Sequence, residues 1–186
     1  VWETPRAGSL ANLVQKQRPL PPLSAGHLRV QVHAVGLNFA DIFALTGLYS
    51  ATPEGAFIPG LEFAGTVIDT GSDTDNTDSP FQVGDRVMGV TRFGGYCSII
   101  DREPDYLVPL PDDWSFAQGA AFPAQTLTAW YALTTLGAIQ PEQRVLIHSA
   151  AGGVGLQAMK LTTLLGANPV GTVGSSDKAA MLQGIG

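Results

Sequence analysis

A glycine-rich turn between an apolar run and a helical period carries the clearest chemistry in the sequence. Residues 145–147 are apolar and predict a short buried strand, and the helical period extends over residues 156–165. The turn between them reads Ala150-Ala151-Gly152-Gly153-Val154-Gly155. The first N–H groups of a helix have no partner inside it, and the helix dipole favours negative charge there, so a pyrophosphate can bind. The order of strand, turn and helix therefore predicts a dinucleotide site.

Two glycines of the turn have separate roles in this prediction. Gly152 lets the backbone approach the phosphates because no Cβ intervenes, and Gly155 lets the helix pack closely on the strand. Ala150 stands where the common pattern has its first glycine. The alternative is a turn whose glycines end a strand and bind nothing. A second strand predicted at residues 169–173 favours the nucleotide site.

The segment after the second strand bears on the choice of nucleotide. NAD-specific sites place Asp or Glu about 20 residues after the glycines, where it bonds the ribose 2′-hydroxyl. Here the strand is followed by Gly174-Ser175-Ser176-Asp177-Lys178, with no carboxylate at its end. Ser175 and Lys178 offer a hydroxyl and a cation to a 2′-phosphate, which favours NADPH over NADH. We interpret Asp177 as a helix cap; the alternative makes Ser175 or Ser176 the cap and Lys178 a solvated charge.

The composition excludes several classes of protein. The 186 residues carry a formal net charge of −6, with 14% charged and 45% hydrophobic residues, which is typical of a soluble globular chain. The acidic balance argues against a nucleic-acid surface, and no apolar run is long enough to span a bilayer. Cys97 is the only cysteine, which excludes an internal disulfide. We expect a cytoplasmic location.

The first two thirds of the chain predict a small β-barrel. Leu28, Val30 and Val32 alternate with polar residues, as in a strand with one buried face. A short helix is predicted over residues 38–45, closing at Gly47. Further strands are predicted within residues 59–68, 83–90, 95–100 and 106–110, and residues 69–80 predict an exposed loop.

The pattern changes after Pro111. Ser115-x-x-Gln118 predicts a capping box, and a second helix is predicted from Pro123 to Leu136. The strand–turn–helix unit follows. We therefore predict two domains, residues 1–122 and 123–186.

Four motifs in this order resemble the medium-chain dehydrogenase/reductase superfamily, and within it the zinc-free quinone oxidoreductase branch with its vesicle-amine-transport-like members. The motifs are Pro59-Gly-x-Glu62-x-x-Gly65-x-Val67, Gly84-Asp85-Arg86-Val87, Leu127-Thr128-Ala129 and Ala150-Ala-Gly-Gly-Val-Gly155. The resemblance implies a GroES-like barrel as catalytic domain, followed by a Rossmann domain with a parallel doubly wound sheet. It also implies a homodimer for the full-length form.

The Rossmann part is expected to be incomplete. A doubly wound sheet of this type normally has about six strands, whereas the sequence predicts two here. We expect the chain to be an amino-terminal piece of a longer protein, and the piece by itself to be inactive.

The resemblance also implies the site residues. It places Asn38 and Asp41 beside the nicotinamide-facing cleft as catalytic residues. The cofactor-binding residues that it implies, together with those predicted above, are Gln125, Thr128, Ala150, Ala151, Gly152, Gly153, Val154, Gly155, Gly174, Ser175 and Lys178.

Asn38 has two interpretations. Its amide could polarise a substrate carbonyl or hold the carboxamide of the cofactor. A helix start with Asn38 as the N-cap explains Asn38-x-x-Asp41 equally well. Some relatives have a tyrosine two residues after the aspartate, where this chain has Phe43, which argues against a tyrosine proton donor at that position.

No metal site is predicted. Aligned on the family pattern, the usual zinc-ligand positions hold Asn38, Leu61 and Ala124, and the last two cannot bind a metal. The four-cysteine lobe of zinc-containing relatives is also absent.

These features predict an NADPH-dependent oxidoreductase that transfers a hydride to a small-molecule quinone or an activated alkene. Two alternatives stay open. One is the enoyl-reductase module of a polyketide-type synthase, and the other is a non-catalytic, nucleotide-binding protein like some vesicle-amine-transport relatives.

Overall fold

The computed structural model describes residues 1–71 and 79–184. The chain divides into two compact units, Val1–Pro123 and Ala124–Gly186. Most of the loop predicted at residues 69–80 lies outside the described residues. Within the described ranges, no helix is both long enough and apolar enough to cross a membrane.

The amino-terminal unit is built on an antiparallel sheet of five strands in the order β6-β3-β4-β5-β7. The strands are β3 (Leu28–Val35), β4 (Glu62–Thr70), β5 (Arg86–Val90), β6 (Ile99–Arg102) and β7 (Leu107–Pro109). A separate antiparallel pair precedes them, formed by β1 (Trp2–Glu3) and β2 (Val14–Gln15). The predicted antiparallel β-rich domain is therefore confirmed.

Buried clusters lie on both faces of this sheet, and one of them includes Ala64 and Met88. Val30, Phe63, Val67 and Val87 are fully buried in one cluster, as the alternation in β3 predicts. Arg29 is buried as well, contrary to that alternation. Its guanidinium forms two hydrogen bonds of 2.8 Å with the carboxylate of Asp101 on β6, and this pairing compensates the cost of burying the charge.

One predicted strand is displaced. The expected strand at residues 95–100 begins at Ile99, because the residues before it bond to a turn. The N–H of Tyr96 donates to the carbonyl of Pro59 at 2.9 Å, and the N–H of Gly95 donates to that of Gly60 at 3.1 Å. The segment around Tyr96 is thereby held against the turn at Gly60.

Two short α-helices of this unit follow their predicted caps, and two 3-10 turns lie at Leu10–Asn12 and Pro104–Tyr106. Helix α1 (Phe39–Thr46) ends at Gly47, whose φ of 80° is readily adopted only by glycine. Helix α2 (Phe116–Ala120) begins with the predicted capping box, in which Ser115 Oγ accepts from the N–H of Gln118 and Gln118 Oε1 accepts from the N–H of Ser115.

The carboxyl-terminal unit contains the predicted strand–helix–strand arrangement. Strands β8 (Arg144–Ile147) and β9 (Asn168–Gly171) pair in parallel, and the crossover between them is α4 (Gly153–Leu164). Helix α3 (Pro123–Trp130) continues as a π-helical segment (Tyr131–Leu136), so the predicted single helix changes geometry halfway. Helix α5 (Ser176–Gln183) follows β9. Ala129, Leu133, Ile147, Ala150 and Ala158 form the buried core of this unit.

Candidate functional site

Asp41, predicted to be catalytic, lies inside the amino-terminal unit. The residue is only 2% exposed, and its carboxylate accepts three hydrogen bonds. Oδ2 accepts from the N–H of Asn38 at 2.8 Å and from the hydroxyl of Tyr96 at 3.0 Å, while Oδ1 accepts from the N–H of Gly60 at 3.1 Å. These bonds join the start of α1 to two other segments of the amino-terminal unit, at Gly60 and Tyr96. We therefore interpret Asp41 as a residue that positions Asn38, not as a group that reacts with a ligand.

Tyr96 is one of the three hydrogen-bond donors to Asp41, although no local sequence pattern marks it as a site residue. Burial, followed by the charge and hydrogen bond of Asp41, raises the pKa of its phenol well above the ordinary value. The hydroxyl thus keeps its proton at neutral pH and donates to the carboxylate of Asp41. The two residues are 55 positions apart, so only the folded chain brings them together.

Asn38 occupies the N-cap position of α1, and its side chain also has a partner elsewhere. The amide nitrogen donates to Oε1 of Glu62 at 2.8 Å. Glu62 is the first residue of β4 and is fully buried. The indication in the sequence is a charged residue at the otherwise apolar start of a strand, within the motif Pro59-Gly-x-Glu62. Asn38 is therefore at once a helix start and a half-buried polar group with a fixed orientation.

Two glycines make room for these carboxylates. Gly60 has a φ of +99°, and a Cβ there would lie 2.5 Å from the Tyr96 ring and 2.7 Å from its backbone nitrogen. A Cβ on Gly36 would overlap Oε1 of Glu62 and the carbonyl oxygen of Ala120. Larger residues at either position would displace these neighbouring groups, so both glycines are required by the site.

A mostly apolar groove of about 480 Å³ lies beside Tyr96. It is lined by Val1, Trp2, Leu13, Gln15, Val35, Leu37, Tyr96, Cys97 and Ser98. Burial raises the pKa of the Cys97 thiol to about 11, so the cysteine is protonated at neutral pH and is a poor nucleophile. Phe43, in the position where some relatives carry tyrosine, is 46% exposed and has no proton to donate.

The glycine turn of the carboxyl-terminal unit has the geometry expected of an anion site. Its N-cap residue is Gly152, so no side chain closes the first turn of α4. The closest atom to a Cβ on Gly152 would be the Ser149 carbonyl oxygen at 3.2 Å. A Cβ on Gly155 would overlap that same oxygen and lie 2.7 Å from Cα of Ala150. Gly155 is thus required for close packing of α4 against the turn that follows β8.

The remaining residues of the turn differ in what they offer a ligand. A Cβ on Gly153 would lie 2.5 Å from the side chain of Gln125, which places the predicted cofactor residue Gln125 at the turn. Val154 is exposed and Ala151 is half-buried. Thr128 is exposed, and its hydroxyl donates to the carbonyl of Ala124 at 2.6 Å.

Ala150, which was predicted to bind the cofactor, lies inside the carboxyl-terminal unit. The residue is fully buried, and a Cβ on Gly171 would lie 2.6 Å from its methyl group. Its N–H donates to the carbonyl of Thr172 at 3.0 Å. Ala150 therefore offers neither its side chain nor its N–H to a ligand, and the alanine is a core residue of the β8–β9 sheet.

The end of β9 leads directly into α5. Ser175 is the N-cap of this helix, and its Oγ accepts from the N–H of Lys178 at 3.5 Å. The alternative in which Ser175 caps the helix is thus confirmed, whereas Asp177 lies in the first turn and is not the cap. The hydroxyl proton of Ser175 is still available to a ligand, because the cap uses the oxygen as an acceptor. Gly174 and Lys178 are exposed.

The described residues contain no group of three or more His, Cys, Asp or Glu side chains that could hold a metal ion. Leu61 and Ala124 offer no ligand atoms in their side chains, and Asn38 is bonded to Glu62.

We expect elemental analysis of the purified protein to find no stoichiometric zinc, because a catalytic zinc site needs three protein ligands. The measurement is made after dialysis against a chelator, with a zinc-containing alcohol dehydrogenase treated in parallel as the control. One zinc per chain that survives dialysis would contradict the zinc-free assignment.

Comparison with known proteins places these features in a family. Residues 24–132 match the alcohol dehydrogenase GroES-like domain. The chain is 43% identical over 156 residues to the phenolphthiocerol synthesis polyketide synthase type I Pks15/1 of Mycobacterium bovis, a match that covers 83% of this chain and 7% of that polypeptide.

Solved structures match over nearly the whole chain. The CurK enoyl reductase is 34% identical with a TM-score of 0.88, covering 99% of this chain and 56% of its own. The Escherichia coli quinone oxidoreductase in complex with NADPH is 33% identical with a TM-score of 0.83, covering 100% and 56%. The chain thus spans little more than half of these structures. It belongs to the alcohol dehydrogenase GroES-like family, within the medium-chain dehydrogenase/reductase superfamily.

Proposed function

We propose that this chain is part of an NADPH-dependent oxidoreductase that delivers a hydride to an electron-poor carbon of a quinone or of an alkene conjugated to a carbonyl group. The observation that carries this proposal is the first turn of α4, which follows a parallel strand and is capped by Gly152. Such a turn presents free N–H groups to a pyrophosphate. The similarity to an NADPH-bound quinone oxidoreductase supports the same nucleotide.

The residues present fit NADPH. The N–H groups of Gly153, Val154 and Gly155 belong to the open first turn of α4 and would hold the pyrophosphate. Ser175 has a hydroxyl proton to donate, and Lys178 has an exposed ammonium group, so these two would hold the 2′-phosphate. When bound, the nicotinamide supplies the hydride.

The amino-terminal unit would orient the reacting groups. The amide of Asn38 would bond either to a substrate carbonyl or to the carboxamide of the nicotinamide, and Asp41 and Tyr96 hold the helix that carries it. A carbonyl that accepts a hydrogen bond withdraws electrons from the conjugated double bond, which favours hydride addition at the far carbon. The proton that completes the reduction comes from water or from a polar side chain.

A second candidate substrate is an α,β-unsaturated thioester, as in an enoyl-reductase module. The specific observation is the 43% identity to a polyketide synthase over 83% of the chain, together with the similarity to the CurK enoyl reductase. The two substrates share the chemistry, because a thioester carbonyl polarises a conjugated double bond as a ketone does.

The test is NADPH oxidation by the complete protein with three acceptors: a benzoquinone, a simple enone and a crotonyl thioester. Turnover of any of them supports the proposed reaction, and the ranking of kcat/KM identifies the substrate class. NADPH binding without turnover of any acceptor would support the non-catalytic alternative instead. Absence of both binding and turnover would contradict the nucleotide site itself.

Replacing Lys178 tests the nucleotide preference. In the complete protein, Lys178→Ala should weaken NADPH binding by roughly ten- to a hundredfold, because a charge-assisted hydrogen bond contributes about 1.5–3 kcal/mol. NADH lacks the 2′-phosphate, so its affinity should not change. Titration by nicotinamide fluorescence measures both affinities.

Lys160→Ala is the matched control, since this lysine is also exposed and lies on α4. It should leave both affinities unchanged. If Lys178→Ala weakened NADH and NADPH equally, Lys178 would have no contact with the 2′-phosphate.

A further inference from the structure

Glu62 is fully buried beside the amide of Asn38 and has no role in the function proposed above. We infer that Glu62 is a positioning residue, which holds the Asn38 side chain in one orientation for its ligand. The inference rests on the proposed function, because it concerns the residue that would orient the nicotinamide or the substrate.

The carboxyl group of Glu62 is fixed in place by its surroundings. Glu62 is the first residue of β4, where it pairs with Val90 of β5. The backbone carbonyl of Glu62 accepts from the N–H of Gly36 at 3.2 Å. The backbone of Gly36 lies so close to the carboxyl oxygen that no Cβ fits between them. The carboxyl group of Glu62 is thus packed against the backbone of Gly36, beside the amide of Asn38.

This contact determines which atom of the amide is presented elsewhere. An asparagine side chain has an acceptor oxygen on one side and a donor NH₂ group on the other. Here the amide nitrogen of Asn38 donates to Oε1 of Glu62 at 2.8 Å, so the amide oxygen points to the other side. The amide then keeps one acceptor oxygen and a single unshared N–H.

That orientation bears on the two ligand roles considered for Asn38. A carboxamide such as that of nicotinamide has both an N–H donor and a carbonyl acceptor, and so matches an amide that presents one acceptor and one donor. An isolated substrate carbonyl would use only the donor. The geometry thus points to the cofactor carboxamide as the partner of Asn38, with Glu62 setting the orientation.

Glu62 and Asp41 divide the task of holding Asn38. Asp41 binds the backbone N–H of Asn38, whereas Glu62 binds its side chain. Loss of Asp41 should therefore loosen α1 as a whole. Loss of the Glu62 carboxylate should leave α1 in place and release the amide of Asn38.

The experiment is a double-mutant cycle in the complete protein with Glu62→Gln, Asn38→Ala and the double variant. Glutamine has the shape of glutamate but brings its own NH₂ group, which lets the Asn38 amide turn over. We expect Glu62→Gln to lower kcat/KM and to weaken NADPH binding by roughly tenfold, the size of one charge-assisted hydrogen bond. In the Asn38→Ala background the same change should have no further effect. Glu54→Gln, on an exposed loop, is the control and should behave as the wild type.

A second readout does not depend on turnover. The side-chain NH₂ signals of Asn38, assigned by their absence in Asn38→Ala, should show one proton protected from solvent exchange in the wild type. This protection should be lost in Glu62→Gln. If Glu62→Gln does not fold, Glu62→Asp withdraws the carboxylate by one methylene and carries the same expectation.

The outcomes separate the two proposals. A wild-type protein that shows no NADPH binding and no turnover contradicts the proposed function, and the exchange measurement then decides the role of Glu62 by itself. Unchanged exchange in the Glu62 variants overturns the inference. The inference is also overturned if the fold-losses in kcat/KM or NADPH affinity of the two single variants multiply in the double variant. Glu62 would then act independently of Asn38.

Discussion

Gly60→Ala is expected to destabilise the amino-terminal unit by about 1–3 kcal/mol more than the same replacement at Gly84. The two glycines have nearly the same backbone conformation, with φ of +99° and +100°. An L-residue in this region costs roughly 1–3 kcal/mol at either position. Only at Gly60 does the new methyl group also meet other atoms, namely the ring and backbone nitrogen of Tyr96. Nothing lies within 4 Å of a Cβ at Gly84.

The comparison is made by urea unfolding, followed by tryptophan fluorescence. Gly60→Ala should also lower activity in the complete protein, because the N–H of Gly60 donates to Asp41 and the turn positions α1. Gly84→Ala should keep its activity under conditions in which it is folded. Equal losses of stability at the two positions would show that the turn at Gly60 moves aside freely. The turn would then not hold α1 in position.

The elements with a local pattern could be predicted from the sequence. The helix that closes at Gly47, the capping box of Ser115 and Gln118, and the two strands around α4 follow from periodicity and cap residues within a few positions of each other. These interactions act between residues close in the sequence, so local sequence patterns indicate them.

The hydrogen bonds of the candidate site could not be predicted in the same way. Tyr96 and Asp41 are 55 positions apart, and Asn38 and Glu62 are 24 apart. Their contact depends on the register of β4 and on the turn at Gly60, which no local pattern specifies. The partial error at residues 95–100 has the same origin, since these residues bond to that turn before β6 begins.

Ala150 shows what a sequence motif leaves undetermined about one of its residues. The turn follows the strand and precedes the helix as predicted, but the N–H of Ala150 is bonded to Thr172 beyond β9. Which N–H groups stay free for a ligand depends on the neighbouring strand. The motif identifies the turn, and the pairing of the sheet identifies the binding atoms.

The last prediction concerns the open face of the β8–β9 sheet. Leu146 and Val170 are register partners on this face, and they are 59% and 38% exposed. Val145 and Ile147, on the other face, pack into the core of the unit. Apolar surface contributes about 25 cal/mol per Å² when it is buried, so a few hundred Å² left in water represents several kcal/mol, comparable to the stability of a domain. Residues 1–186 in isolation should therefore self-associate or be loosely folded, and should bind NADPH weakly.

Sedimentation over a range of protein concentrations measures this association. The double variant Leu146→Thr and Val170→Thr should weaken it, since threonine retains a preference for strands but lowers the apolar area. Leu20→Thr and Val83→Thr are the matched control, because these residues are 49% and 62% exposed and belong to the amino-terminal unit. They should leave association unchanged. A wild-type chain of 186 residues that is monomeric, unfolds cooperatively and binds NADPH at micromolar concentrations would show that the exposed face costs far less than its area indicates.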